Sequence, residues 1–330
     1  MLKKKHSKAG VVFSFIFSLL ILTAATYVVL DRQGIYDQWN FLHYKPTAQI
    51  ADIANLAGLS DKGKFYLYTS DAAVDNAADF NKNCVRQEAK NAILGCYSNN
   101  RVYIYNVTNQ ELNGIEEVTA AHEMLHAVWD RTSASEKTRI GALLEQAYTA
   151  NKTPDLTSRM DYYSRNESGE RINELHSIAG TEFKNLSPEL EKYYALYFTN
   201  RQNTVTLHDK YNSVFTKLST DAEALYQKLV ALGASIKSDS AAYNQAVVTL
   251  NRDIQTFNEV NGFSKSTSQF NTERAAIVSR IAALNAQRDS LDAKIKDYNV
   301  SYADYQALVV KNESLNQSID STIAQPAPSL

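Results

Sequence analysis

Residues 11–30 form an unbroken run of twenty uncharged residues in a chain of 330, and that run decides in which compartment every later segment folds. As a helix it spans about 30 Å, the thickness of the hydrocarbon core of a bilayer. Lys3, Lys4, Lys5 and Lys8 precede it with no acidic residue. The positive-inside rule therefore leaves this basic tip in the cytoplasm and sends the chain after Leu30 across the membrane. The run is longer than the apolar region of a signal peptide and closes on Tyr27-Val28-Val29-Leu30, which favours an uncleaved single-pass anchor. Ala24-Ala25 keeps the alternative, secretion after cleavage.

An external location changes how the remaining composition reads. Apart from the four amino-terminal lysines, the chain carries 30 basic and 36 acidic residues, so no basic surface for nucleic acid is expected. Cys84 and Cys96 are the only cysteines. In an oxidising compartment such a pair predicts a disulfide, and the spacing fits neither a CxxC zinc knuckle nor a thioredoxin motif.

Five segments are expected. Residues 1–30 are the tip and membrane helix, and 31–60 are a polar stalk ending in a packing helix near Ile50-Ala51-Asp52-Ile53-Ala54. Residues 61–202 are a globular α+β domain, 203–320 an antiparallel α-helical coiled-coil hairpin, and 321–330 a disordered tail. Within the globular part, Lys64-Phe65-Tyr66-Leu67-Tyr68 and Ala92-Ile93-Leu94-Gly95-Cys96-Tyr97 suit strands. Ser98-Asn99-Asn100 reads as the tip of a hairpin into Val102–Val107. Pro154 to Arg165 reads as loop and Ser168 to Phe183 as helix, while Ser133/Glu136 and Ser187-Pro188 open two further helices. The hairpin rests on near-heptad residues from Leu225 to Phe257 and from Ile277 to Tyr305, interrupted by Asn261-Gly262-Phe263-Ser264-Lys265-Ser266. Asp239 and Arg288 fall on its apolar stripes, where a charge can set register.

The chemistry is concentrated in His122-Glu123-Met124-Leu125-His126. Residues four apart share a helical face, so two imidazoles can reach one metal ion with Glu123 beside them as general base. The flanking residues from Ile115 to Trp129 contain no helix breaker. A catalytic zinc takes three protein ligands and leaves a position for water, so a further donor is required downstream.

Asn173-Glu174-Leu175-His176-Ser177 resembles the Asn-Glu-x-x-Ser/Ala segment of the gluzincin class of zinc metallopeptidases, and His122, Glu123 and His126 match the paired ligands and base of that class. The resemblance covers the two motif helices and the hairpin before them, about half the chain, and stops short of the coiled coil. It implies a zincin-like domain with Zn2+ held by His122, His126 and Glu174, and Glu123 activating water for peptide-bond hydrolysis. Glu170 and Glu182 share the helical face of Glu174 and stand as alternatives. Ile178 replaces an aspartate common in the class, so the residues name no partner for a ligand histidine. His176, Tyr162, Tyr163, Tyr193 and Tyr194 are candidate donors to an oxyanion, with structural packing as the rival role of each. Zincins bind an extended peptide along an edge strand, and Val102–Val107 is the candidate strand.

The expected partners are a peptide or protein substrate, the bilayer through residues 11–30, and a protein bound by the coiled coil. A surface scaffold with a non-catalytic zinc domain is the competing reading.

Overall fold

In the computed structural model, which describes residues 8–84, 92–166, 169–260 and 265–323, the chain is mostly helical with one small sheet. The expected basic residues Lys3, Lys4 and Lys5, the turn at 261–264, Ser168 and the tail 324–330 lie outside the described residues. Two compact units form, Met1–Val214 with Asn316–Leu330, and Phe215–Leu315.

The first unit begins with α1 (Lys8–Leu30), whose stretch Val12–Leu30 is apolar and long enough to cross a membrane and is unburied by the rest of the chain. It could serve as a membrane span or as a signal sequence. Asp31, with φ −116° and ψ 35°, breaks the helix, and α2 (Arg32–His43) follows. The expected polar stalk is thus a packed helix. Asp37 turns inward and meets Arg131 through paired hydrogen bonds of 2.7 and 2.8 Å, and Asn40 donates to the Thr69 carbonyl. After α3 (Ala48–Leu56), the run at 64–68 forms α4 (Asp61–Thr69) in place of a strand. Ser60 caps it by accepting from the Gly63 N–H, and Gly63 and Leu67, one turn apart, are buried. A short apolar run fits either period, and here the cap decides.

The sheet has the order β1 (Ala73–Asp75), β3 (Arg101–Tyr105), β2 (Gly95–Ser98), with β1 parallel and β2 antiparallel to β3. Asn99 and Asn100, at φ 52° and 63°, make the two-residue turn between β2 and β3. β3 is therefore central and buried, which overturns its expected place at an edge; β2 is the edge strand. Helix α5 (Ala77–Asn83) separates β1 from Cys84, which is disulfide-bonded to Cys96 on β2, with Cα atoms 5.8 Å apart.

Helix α6 (Ile115–Asp130) runs through the core, with Ala120, Ala121, Met124, Leu125 and Ala127 wholly buried. Against it pack α3, α4, the sheet and α9 (Arg171–Thr181); α7 (Ala134–Asn151) and α8 (Pro154–Asn166) pack in turn on α9, and α10 (Pro188–Tyr194) on α7. Helix α8 replaces the loop expected there. Thr153 accepts from the Leu156 N–H, Pro154 takes the first turn, and Leu156 and Met160 bury one face. Helix α9 is shorter than expected at both ends. Gly180 admits it against α6, since a Cβ there would lie 2.4 Å from Leu125 Cδ1.

Helix α11 (Arg201–Val260) starts in the first unit and α12 (Thr267–Ile319) ends there, where the Asn81 amide donates to the Ser321 carbonyl and the Ser321 hydroxyl donates to Asn81 Oδ1. In the second unit these helices run antiparallel, as pairing of Lys228 with Asp297, Asp239 with Lys294, Asp253 with Arg280 and Phe257 with Phe270 requires. Asp239 thus has a partner across the pair, whereas Arg288 meets its own neighbour Asp289.

Candidate metal centre

One turn of α6 sets His122 and His126 side by side, their ring centroids 4.9 Å apart. From α9, one oxygen of Glu174 lies 3.5 Å from His122 Nε2 and the other 3.5 Å from His126 Nε2. Charge-assisted hydrogen bonds close to roughly 2.7–2.9 Å. By contrast, ligand atoms at about 2.1 Å from one tetrahedral ion stand roughly 3.4 Å apart. All three donor atoms lie within 4.8 Å of one another, and the group could hold a metal ion.

Hydrogen bonds fix the histidine that the sequence left without a partner. Asn173 Nδ2 donates to Glu170 at 2.7 Å, which turns Asn173 Oδ1 toward His126 Nδ1 at 2.9 Å. An amide oxygen can only accept, so Nδ1 donates to it and Nε2 is the ring nitrogen turned to the Glu174 side. Glu170 therefore orients Asn173 and sits away from the ligand triangle. Glu182 is likewise elsewhere, clamped by Arg159 at 2.9 and 2.7 Å.

Burial raises the carboxyl of Glu174, but His126, His122 and a hydrogen bond from Tyr163 outweigh it and hold the group down at about 2. Glu123, 6 % exposed, behaves in the opposite way. Burial lifts its carboxyl to about 7, against the lowering effect of His126, and the Tyr97 N–H donates to it. The two carboxylates of the centre are thus driven in opposite directions, one toward permanent ionisation and one toward proton exchange near neutrality.

The centre lies in a cleft of about 1350 Å³ bordered by β2, the Asn99-Asn100 turn, α6, α8, α9 and the start of α11. Gly95 of β2 approaches closely; a Cβ there would stand 2.5 Å from Thr119 Cγ2 and 2.9 Å from Glu123 Oε1. Tyr105 N–H bonds to the Leu94 carbonyl, so residues 94, 96 and 98 face β3, and Gly95 and Tyr97 turn their peptide groups to the cleft side. Tyr162 and Tyr163 line the cleft, whereas Tyr193 and Tyr194 do not.

His176 is also absent from the lining and is fully buried. Its ring packs against Trp129 and Tyr194 and its Nε2 meets Tyr193 OH at 2.9 Å. The expected oxyanion role is overturned because α9 turns His176 away from Glu174, toward the core. His208 and Tyr211 do line the cleft, and His208 Nε2 lies 3.5 Å from Glu182. Both fall within the segment assigned to the hairpin, which concealed them from sequence reading.

No known protein family, curated protein or solved structure matches this chain.

Proposed function

We propose that this protein is a membrane-anchored, outward-facing zinc-dependent peptidase of zincin-like fold and gluzincin type, with α11 and α12 forming an appended coiled-coil hairpin. The observation carrying the reading is the triangle of His122, His126 and Glu174, with 3.5 Å edges to the carboxylate, set beside a buried base in an open cleft. Two imidazoles and a carboxylate suit zinc. When bound, zinc supplies Lewis-acid polarisation of the scissile carbonyl and makes water more acidic. Glu123 takes the proton of the attacking water and delivers it to the departing amide nitrogen, a task suited to a carboxyl raised to about 7. An extended substrate pairs with the cleft side of β2, where Gly95 offers backbone without a side chain. Tyr162, Tyr211 and His208 are among the lining groups able to donate to the developing oxyanion, while the Tyr163 hydroxyl is engaged with Glu174.

The test uses the full-length protein and its Glu123→Gln and Glu174→Gln variants, with metal content and cleavage of an unstructured peptide library measured on each. Stoichiometric zinc and cleavage in the wild type, zinc without cleavage in Glu123→Gln, and loss of zinc in Glu174→Gln are expected. A wild type that binds no zinc refutes the reading, and zinc without cleavage in the wild type transfers support to the scaffold.

A further inference from the structure

Helix α2 has two faces with opposite commitments. Asp37, Asn40 and Phe41 turn toward the protein, where Asp37 meets Arg131, Asn40 meets the Thr69 carbonyl and Phe41 packs on Phe65. At 100° per residue, Ile35, Trp39 and Leu42 centre on the direction opposite Asp37. That outer stripe is open, Trp39 at 59 % and Leu42 at 77 % exposure, with Tyr36 on its flank at 45 %. Soluble domains rarely leave a tryptophan and two large aliphatic residues aligned in water.

Its place in the chain identifies the occupant. Only Asp31 separates α2 from the apolar stretch Val12–Leu30, which at 19 residues spans roughly 28 Å. If that stretch crosses the bilayer, Leu30 ends at the edge of the hydrocarbon and the residues after it begin within the headgroup layer, roughly 5–7 Å thick on each side. Tryptophan and tyrosine favour that layer, and Arg32, beside the stripe, can meet lipid phosphates. The inward face is already fixed to the C-terminal end of α6 through Arg131, so the stripe cannot fold back into the core.

We infer that the outer face of α2 is a membrane-docking surface, with Ile35, Trp39 and Leu42 seated in the interfacial layer of the bilayer that α1 crosses. This rests on α1 being retained as the span proposed above, but not on peptidase activity. The groove along this face is also bordered by Asn100, the turn residue that lines the cleft, so docking holds one end of the cleft at the lipid surface.

Trp39 and Trp129 are the only tryptophans in the chain, which permits a direct test. The full-length wild type and Trp39→Phe are reconstituted into phosphatidylcholine vesicles with and without bromine on the upper acyl carbons, and tryptophan emission is compared. Far-UV circular dichroism and vesicle flotation accompany each sample. Bromolipid quenching in the wild type that is lost in Trp39→Phe is the expected result. Wild-type emission unaffected by bromolipid but quenched by aqueous iodide, again through Trp39, overturns the inference. Emission reached by neither quencher, with copies cross-linking through α2, overturns it in favour of a second copy as occupant. Failure to float with the vesicles refutes the span itself, and none of these outcomes depends on whether the protein cleaves peptides.

Discussion

Replacing Asp37 with alanine should destabilise the first unit far more than any loss from a flexible stalk could. Asp37 and Arg131 side chains are each 5 % exposed, so solvent screens their attraction little. Arg131 also donates to Tyr97 OH at 2.8 Å and to the Ala127 carbonyl at 3.0 Å. Burial acts to lower its ionisation, and Asp37 more than restores it. A guanidinium cannot shed its proton, so Asp37→Ala leaves a buried cation facing neutral partners, at a cost of about 3–5 kcal/mol. For a unit of this size that corresponds to a fall in Tm of roughly 6–20 °C. Thermal unfolding of the full-length protein in detergent, followed by tryptophan emission, measures it.

The reverse variant, Arg131→Met, leaves the Asp37 carboxylate buried without its cation and should cost a comparable amount. Joint replacement by Asp37→Leu and Arg131→Met should recover most of the loss, because no unpaired charge remains. A loss below about 1 kcal/mol in Asp37→Ala, the range of an exposed pair, would refute the view that this contact fixes α2.

Asn173→Ala should weaken zinc binding about 10–100-fold with the fold intact, read by chelator competition; unchanged affinity would remove Asn173 from the orientation of His126. Joint Cys84→Ser and Cys96→Ser replacement opens a loop with a sequence separation of 12 and should cost about 3 kcal/mol in denaturant unfolding, and a reductant should act on the wild type alone. Burial holds His208 below its ordinary value of 6.5, against the pull of Glu182. The unfolded chain therefore takes up the proton first, stability falls as pH drops below about 6.5, and His208→Gln should flatten that slope in Tm measured between roughly pH 7.5 and 5.5. Ile35→Asp with Leu42→Asp should slow cleavage of a bilayer-tethered peptide and leave a soluble peptide unaffected; equal loss on both would count against a membrane-proximal substrate.

Legibility in the sequence followed the range of each interaction. The chain His122 to His126 was readable because the helix that aligns the two imidazoles is local, and the Asn99-Asn100 turn because its chemistry resides in two residues. Short apolar runs were not, since α4 and an expected strand differ only in what Ser60 caps. Pro154 suggested a loop, although proline is also at home in a first helical turn, where Thr153 supplies the cap. Asp37 looked like one more polar residue of a stalk because its partner lies 94 positions away. The edge position of β2 depended on β1 pairing in parallel with β3, a non-local choice that alternation of side chains does not encode.

The same distinction explains why the third donor was ambiguous. Glu170, Glu174 and Glu182 recur on one helical face, and no local property separates them. Their partners do. Asn173 engages Glu170, Arg159 engages Glu182, and Glu174 alone of the three faces both histidines. Each neighbour thus has a task that leaves Glu174 to the centre, since Glu170 orients the amide that fixes His126, and Glu182 holds Arg159 and stands beside His208 at the cleft. Removing either neighbour acts through the residue it holds, so Glu182→Gln should release Arg159 and His208 without removing a donor from the triangle. An acidic face that seemed redundant in sequence is therefore divided among three different jobs by residues contributed from α8, α9 and α11.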